Sequence, residues 1–95
     1  MPAYVVVDVS IRDAAAYEEY KKLTPASLEA FGGKFIVRGG KTESIEGGWQ
    51  PGRVVVAEFP DMATLKRWYD SEIYTEAKRI RHASADTRMI FVEGV

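Results

Sequence analysis

The sequence contains no cysteine and one histidine, His82, among its 95 residues. Without cysteine there is no disulfide, no thiolate nucleophile and no thiolate-held zinc. With one histidine, neither a histidine-rich metal site nor a histidine-centred triad is expected within one subunit. Charge of one sign is not in excess. The 13 Lys and Arg residues against 14 Asp and Glu give a net charge of −1, so there is no electrostatic footprint for nucleic acid. Apolar runs such as Val5-Val6-Val7 fall far short of the ~20 residues of a membrane span, so no membrane partner is expected. The beginning of the chain has neither a basic start nor a long apolar stretch, so cytoplasmic residence is the default expectation. No cofactor is expected.

What remains is an ordinary globular composition, 46% hydrophobic and 28% charged, in a chain long enough for a single domain over residues 1–95 with a thin core. Residues 3–11 are dense in β-branched and aromatic side chains and read as a strand. Val5, Val7, Val9 and Ile11 share one face, and Tyr4, Val6, Asp8 and Ser10 the other. Both faces are partly apolar, which suggests that both are covered. Residues 13–31 read as a helix with Asp13 at its N-terminus and Tyr17, Tyr20, Thr24, Leu28 and Phe31 on one stripe. Pro25 lies inside that pattern, so a kink or a restart at Thr24 is expected. Gly32-Gly33 ends the helix.

A second strand is expected to begin at Lys34, pass through Gly39-Gly40 with a bulge, and continue to Glu46. Residues 47–52 form a loop, and Arg53 to Phe59 a third strand. Asp61 caps a helix with Met62, Leu65, Trp68 and Tyr69 on one face, and Ser71 caps a further helix through Arg81. Residues 87–93 form the last strand. The order β-α-β-β-α-β gives an α+β fold, the ferredoxin-like plait, a four-stranded antiparallel sheet with helices on one face. The strands are apolar on both faces, yet the helices cover only one. A homodimer formed through the open sheet faces resolves that conflict.

The stretch from Gly32 to Gly40 has the form GG-x-φ-φ-φ-RGG, where φ is apolar. It is followed by Glu46-Gly47, Pro51-x-Arg53, Glu58-Phe59-Pro60, Trp68-Tyr69-x-Ser71-x-x-Tyr74, Arg81 and Glu93-Gly94. From Tyr4 to Gly94 the chain resembles the family called domain of unknown function 1330, in the dimeric α/β-barrel superfamily. Glu72 stands where that pattern leads one to expect proline, which bears on the start of the helix. The resemblance implies a plait fold and a dimer whose sheets face each other, and no agreed reaction. Superfamily relatives include cofactor-free monooxygenases, muconolactone isomerases and haem-binding proteins, and such kinship transfers no chemistry by itself.

The candidate site residues each carry two readings. Arg38, beside two glycines, is either a guanidinium aimed at an anionic ligand or an ion pair with Glu46, Glu58 or a partner carboxylate. Arg53 reads as a pair for Glu46 across the loop. Asp8 and Glu58, in apolar strands, are either proton-moving carboxylates or paired charges, and Arg38 joins them as a catalytic candidate. Tyr17, Trp68, Tyr69 and Tyr74 are either the wall of an aromatic ligand pocket between helices and sheet, or plain core. His82 reads as a helix-end cation, an axial haem ligand or a base, and Lys78, Arg79, Arg81 and Arg88 as a solvated basic cluster. Pro2 follows Met1, so its nitrogen is not a free terminal base. Two functions follow. One is a homodimer binding a small aromatic or anionic metabolite, with cofactor-independent chemistry as an extension. The other is a non-catalytic dimeric structural or regulatory module.

Overall fold

The computed structural model describes residues 1–95. Seven elements follow in order: β1 (Ala3–Ile11), α1 (Ala14–Glu29), β2 (Lys34–Arg38), β3 (Arg53–Phe59), α2 (Met62–Tyr69), α3 (Glu72–Ser84) and β4 (Ala85–Glu93). The strands form one antiparallel sheet in the order β2-β3-β1-β4. Local chemistry sets the helix starts. The Asp13 carboxylate accepts the Ala16 amide at 3.1 Å, the Asp61 carboxylate the Thr64 amide at 2.7 Å, and the Ser71 hydroxyl oxygen the Tyr74 amide at 3.3 Å.

Three expectations need correction. First, α1 runs unbroken through Pro25. Thr24 caps nothing; its hydroxyl donates to the Tyr20 carbonyl at 2.7 Å within the same helix. Second, the second strand stops at Arg38 and does not continue to Glu46. Its bulge lies at Ile36, before the glycines: Phe35 pairs with Ala57 and Val37 with Val56, leaving Ile36 without a partner. Third, α3 runs on to Ser84, and β4 begins directly at Ala85.

The helices pack on one face of the sheet. Val5, Ala57 and Phe59 meet Leu28, Leu65, Trp68, Tyr74 and Ala77 there in the main core, and Val7 and Val9 meet Tyr17 and Ala85 in a smaller one. The other face carries Val6, Val54, Val56, Ile90 and Val92, and Ile90 is 61% exposed. The molecule is accordingly a slab of 35 × 34 × 16 Å, one sheet and one helix layer thick. Its accessible surface is 5916 Å², against roughly 5,500 Å² for a folded monomer of this mass. The surplus fits an uncovered sheet face and the irregular segment 39–52.

Candidate functional site

Strand parity decides what the helix face of the sheet presents. In an unbroken strand Lys34, Ile36 and Arg38 would all face away from the helices. The unpaired Ile36 shifts the phase, so Val37 joins Val56 on the open face and Arg38 joins Val55 on the helix face. Arg38 stacks over the Phe35 ring at 4.4 Å and donates from Nη2 to the Lys21 carbonyl of α1 at 2.8 Å. That carbonyl would ordinarily receive the amide of residue 25, which proline lacks. Arg38 therefore bonds neither Glu46 nor Glu58.

Behind Arg38, α1 and the sheet enclose a small cleft of about 20 Å³. Val7, Val9 and Val55 form its floor and Tyr17, Tyr20 and Thr24 its helical wall, and Arg53 and Arg81 line it as well. Arg53 leans over the Tyr17 ring, 5.9 Å from its centroid. Gly39 makes room for it: the glycine has φ +73° and any side chain there would run into the Arg53 guanidinium. Glu46 is not its partner, contrary to the hairpin pairing expected from sequence.

Arg81 is the residue that sequence reasoning misplaced. It is 2% exposed, not part of a solvated basic helix end. It shares the buried stripe of α3 with Tyr74, Ala77 and Ser84, a spacing of three and four that was visible in the sequence. Its Nη1 donates to the Thr87 hydroxyl at 2.6 Å, and Nη2 lies 3.4 Å from the His82 ring. No carboxylate pairs with it or with Arg53. The Nε atoms of Arg53 and Arg81 are buried and have no hydrogen-bond partner. Burial pushes the Tyr17 hydroxyl up, with Tyr20 adding to the shift and Arg53 and Arg81 opposing it.

The aromatic candidates divide. Tyr17 lines the cleft. Trp68 and Tyr74 are 3% and 0% exposed and stack with centroids 4.1 Å apart. Trp68 Nε1 donates to the Ser27 hydroxyl at 3.1 Å, and the Tyr20 and Tyr74 hydroxyls share a hydrogen bond of 2.8 Å. Tyr69 packs edge-on against Phe91 and lies beneath the Lys78 ammonium, 4.1 Å from the ring centre. These three form filled core and its margin. Burial drives the Tyr20 and Tyr74 hydroxyls upward, so both are neutral donors and acceptors.

Asp8 and Glu58 lie on the opposite face of the sheet from the cleft. Asp8 accepts the Gly52 amide at 2.9 Å and faces the Arg88 guanidinium at 3.5 Å; Glu58 faces Lys34 at 3.7 Å. Beside Asp8, Trp49 of the irregular segment, with Val6, Val54 and Ile90, lines an open cavity of about 460 Å³. His82 is exposed at the end of α3, where Arg12 donates to its carbonyl at 2.9 Å. The Pro2 carbonyl accepts the Gly94 amide at 2.8 Å.

The family model described as domain of unknown function 1330 matches residues 2–95. No curated protein matches the chain. Among solved structures, it is similar to a protein of unknown function from Rhodopseudomonas palustris, with TM-score 0.82 and 24% identity over 99% of this chain and 82% of that one. A dimeric ferredoxin-like protein of unknown function from Jannaschia sp. aligns with TM-score 0.75 and 13% identity over 99% and 100%. SnoaB, a cofactor-independent oxygenase from Streptomyces nogalater, aligns with TM-score 0.72 and 15% identity over 99% and 93%. At these identities the likeness is one of fold, and it includes proteins described as dimeric.

Proposed function

Because this chain belongs to the domain of unknown function 1330 family, we propose that it is a homodimeric domain that holds a small anionic metabolite in the cleft between α1 and the sheet. The observation that carries this reading is the convergence of Arg38, Arg53 and Arg81 on one internal space with no carboxylate among its lining residues. Cationic side chains gathered without counter-charge are the arrangement that receives an anion. Tyr17 supplies a hydroxyl beside them, and the valine floor suits an apolar or aromatic body. Trp68, Tyr69 and Tyr74 support the cleft from the core and do not line it.

The activity proposed is binding. Asp8 and Glu58 are left out of it, since both are paired on the far face of the sheet. Cofactor-independent oxygenation is a property of SnoaB, and no proton-accepting carboxylate stands in this cleft to suggest the same here. The open sheet face supports the dimer: two copies packed face to face would cover Val6, Val56, Ile90 and Val92 on both. No helix is long and apolar enough to cross a membrane, and cytoplasmic residence remains part of the proposal.

A second reading, a dimeric module without a ligand, is favoured by the cleft's volume of only about 20 Å³. Native mass spectrometry of protein purified gently from its own host separates the two. A dimer carrying an extra small mass supports binding. A bare dimer that takes up no small acid supports the module. A monomer overturns the packing of sheet on sheet.

A further inference from the structure

We infer, taking the cleft as the ligand site, that the group it recognises is the carboxylate of a small apolar acid, received by the Nε–H groups of Arg53 and Arg81.

Arg81 is a guanidinium almost wholly removed from water, and its neighbours are hydroxyls and a histidine ring rather than an acid. A buried charge is retained where something of opposite charge completes it. The side chains of Arg53 and Arg81 come from different elements, β3 and α3, yet line the same space. Their Nε atoms are the two buried side-chain polar atoms left without a hydrogen-bond partner. In a fold that satisfies Trp68, Ser27, Tyr20 and Tyr74 with hydrogen bonds, two unpartnered donors on residues that line one cleft point to a missing acceptor.

The closed space is small: about 20 Å³ stands open, where a single water needs roughly 10–15 Å³ on this scale, so an acid enters only as the cleft opens. The two oxygens of a carboxylate then offer one acceptor to each of the two N–H donors. The walls beyond the donors are Val7, Val9, Val55 and Phe35, so the body of the acid is apolar. It extends toward the mouth of the cleft, where Arg38 is exposed and held by one hydrogen bond to the Lys21 carbonyl. Release of that bond lets the acid in and brings a third guanidinium over it.

The test is a titration of the full-length protein followed by ¹H–¹⁵N spectra that include the arginine Nε–H signals. Arg53→Lys and Arg81→Lys assign the two signals by their loss. The probes are propionate and benzoate, their uncharged amides propionamide and benzamide, and sodium chloride and phosphate at matched ionic strength. The expected result is a saturable shift of both Nε–H signals with the two carboxylates and none with the amides. In Arg53→Lys, which keeps the charge but loses the Nε donor in its fork, affinity for benzoate falls at least tenfold.

If the amides shift cleft backbone signals such as Tyr17 and Thr24 while the carboxylates leave the Nε–H signals unmoved, the cleft binds small molecules and the carboxylate assignment fails. If chloride or phosphate moves the Nε–H signals as strongly as benzoate, the assignment to carboxylates fails as well. If no probe moves any cleft signal, the cleft is not a ligand site, and water alone meets the two donors.

Discussion

Arg38 supplies to α1 the hydrogen bond that Pro25 removes. The proline sits in the interior of a 16-residue helix, where it leaves the carbonyl four residues back without its amide. The Nη2 of Arg38 occupies that place at 2.8 Å, having crossed from β2. A helix defect and a strand arginine are thus one structural unit, joined across the mouth of the cleft.

That coupling is measurable. Arg38→Ala leaves the Lys21 carbonyl to water and costs about 1 kcal/mol. In a Pro25→Ala background the helix amide returns, and the same arginine deletion costs much less. A double-mutant cycle by urea unfolding should give a coupling of about 1 kcal/mol. Strict additivity would show that Arg38 does not compensate for Pro25.

Trp68 and Tyr74 act through stability. Trp68→Ala removes a ring packed against Phe59 and Tyr74 and should cost about 3–5 kcal/mol. Tyr74→Phe leaves the shape and deletes the bond to Tyr20, for about 1 kcal/mol. Denaturant midpoints check both. A Trp68→Ala protein as stable as the parent would mean that this ring is not core.

The open sheet face predicts a dissociating substitution. Ile90 is 61% exposed in one protomer, so Ile90→Lys leaves the single fold intact while placing a charge where the second sheet would lie. Sedimentation should change from dimer to monomer with an unchanged circular dichroism spectrum. A variant that stays dimeric places the contact elsewhere.

His82 gives the protein a modest acid sensitivity. Burial lowers its affinity for a proton, and the adjacent Arg81 and Lys78 charges lower it further. The unfolded chain then takes up the proton first, so unfolding gains as the medium becomes acidic. The His82 contribution is complete above pH about 6.5 and declines below it. Unfolding temperatures of the parent and His82→Gln at pH 7.5 and 5.5 test this, with the variant losing less on acidification. Equal losses would assign the acid sensitivity to other groups.

The element order, the three helix caps and the unshielded sheet face were all legible in the sequence. Each depends on local chemistry or simple alternation: Asp13, Asp61 and Ser71 at helix starts, and valines on both sides of β1. Three-dimensional pairings were not. Pro25 looked like a break because its compensating donor lies 13 residues away, on a strand whose phase a bulge had altered. Trp68, Tyr69 and Tyr74 looked equally able to meet a ligand or one another, since helical spacing places them together without saying what fills the gap. Arg81 was hidden by its neighbours: Lys78, Arg79 and His82 suggest solvent, and only the stripe through Tyr74 and Ala77 shows that it turns inward.

The unpaired Ile36 acts on everything after it in β2 as a change of sign. Because the pairing skips it, Arg38 falls on the helix side and Val37 on the open side. Were Ile36 paired as an ordinary strand residue, the two would exchange places: a cation would stand among the valines of the open face, and a valine would stand where Arg38 meets the Lys21 carbonyl. One residue of no chemical distinction thereby sets which side chain each surface of the sheet receives. A single-codon deletion at that point would flatten the bulge and leave both assignments unchanged, whereas a second residue inserted beside it and paired in the ladder would reverse them.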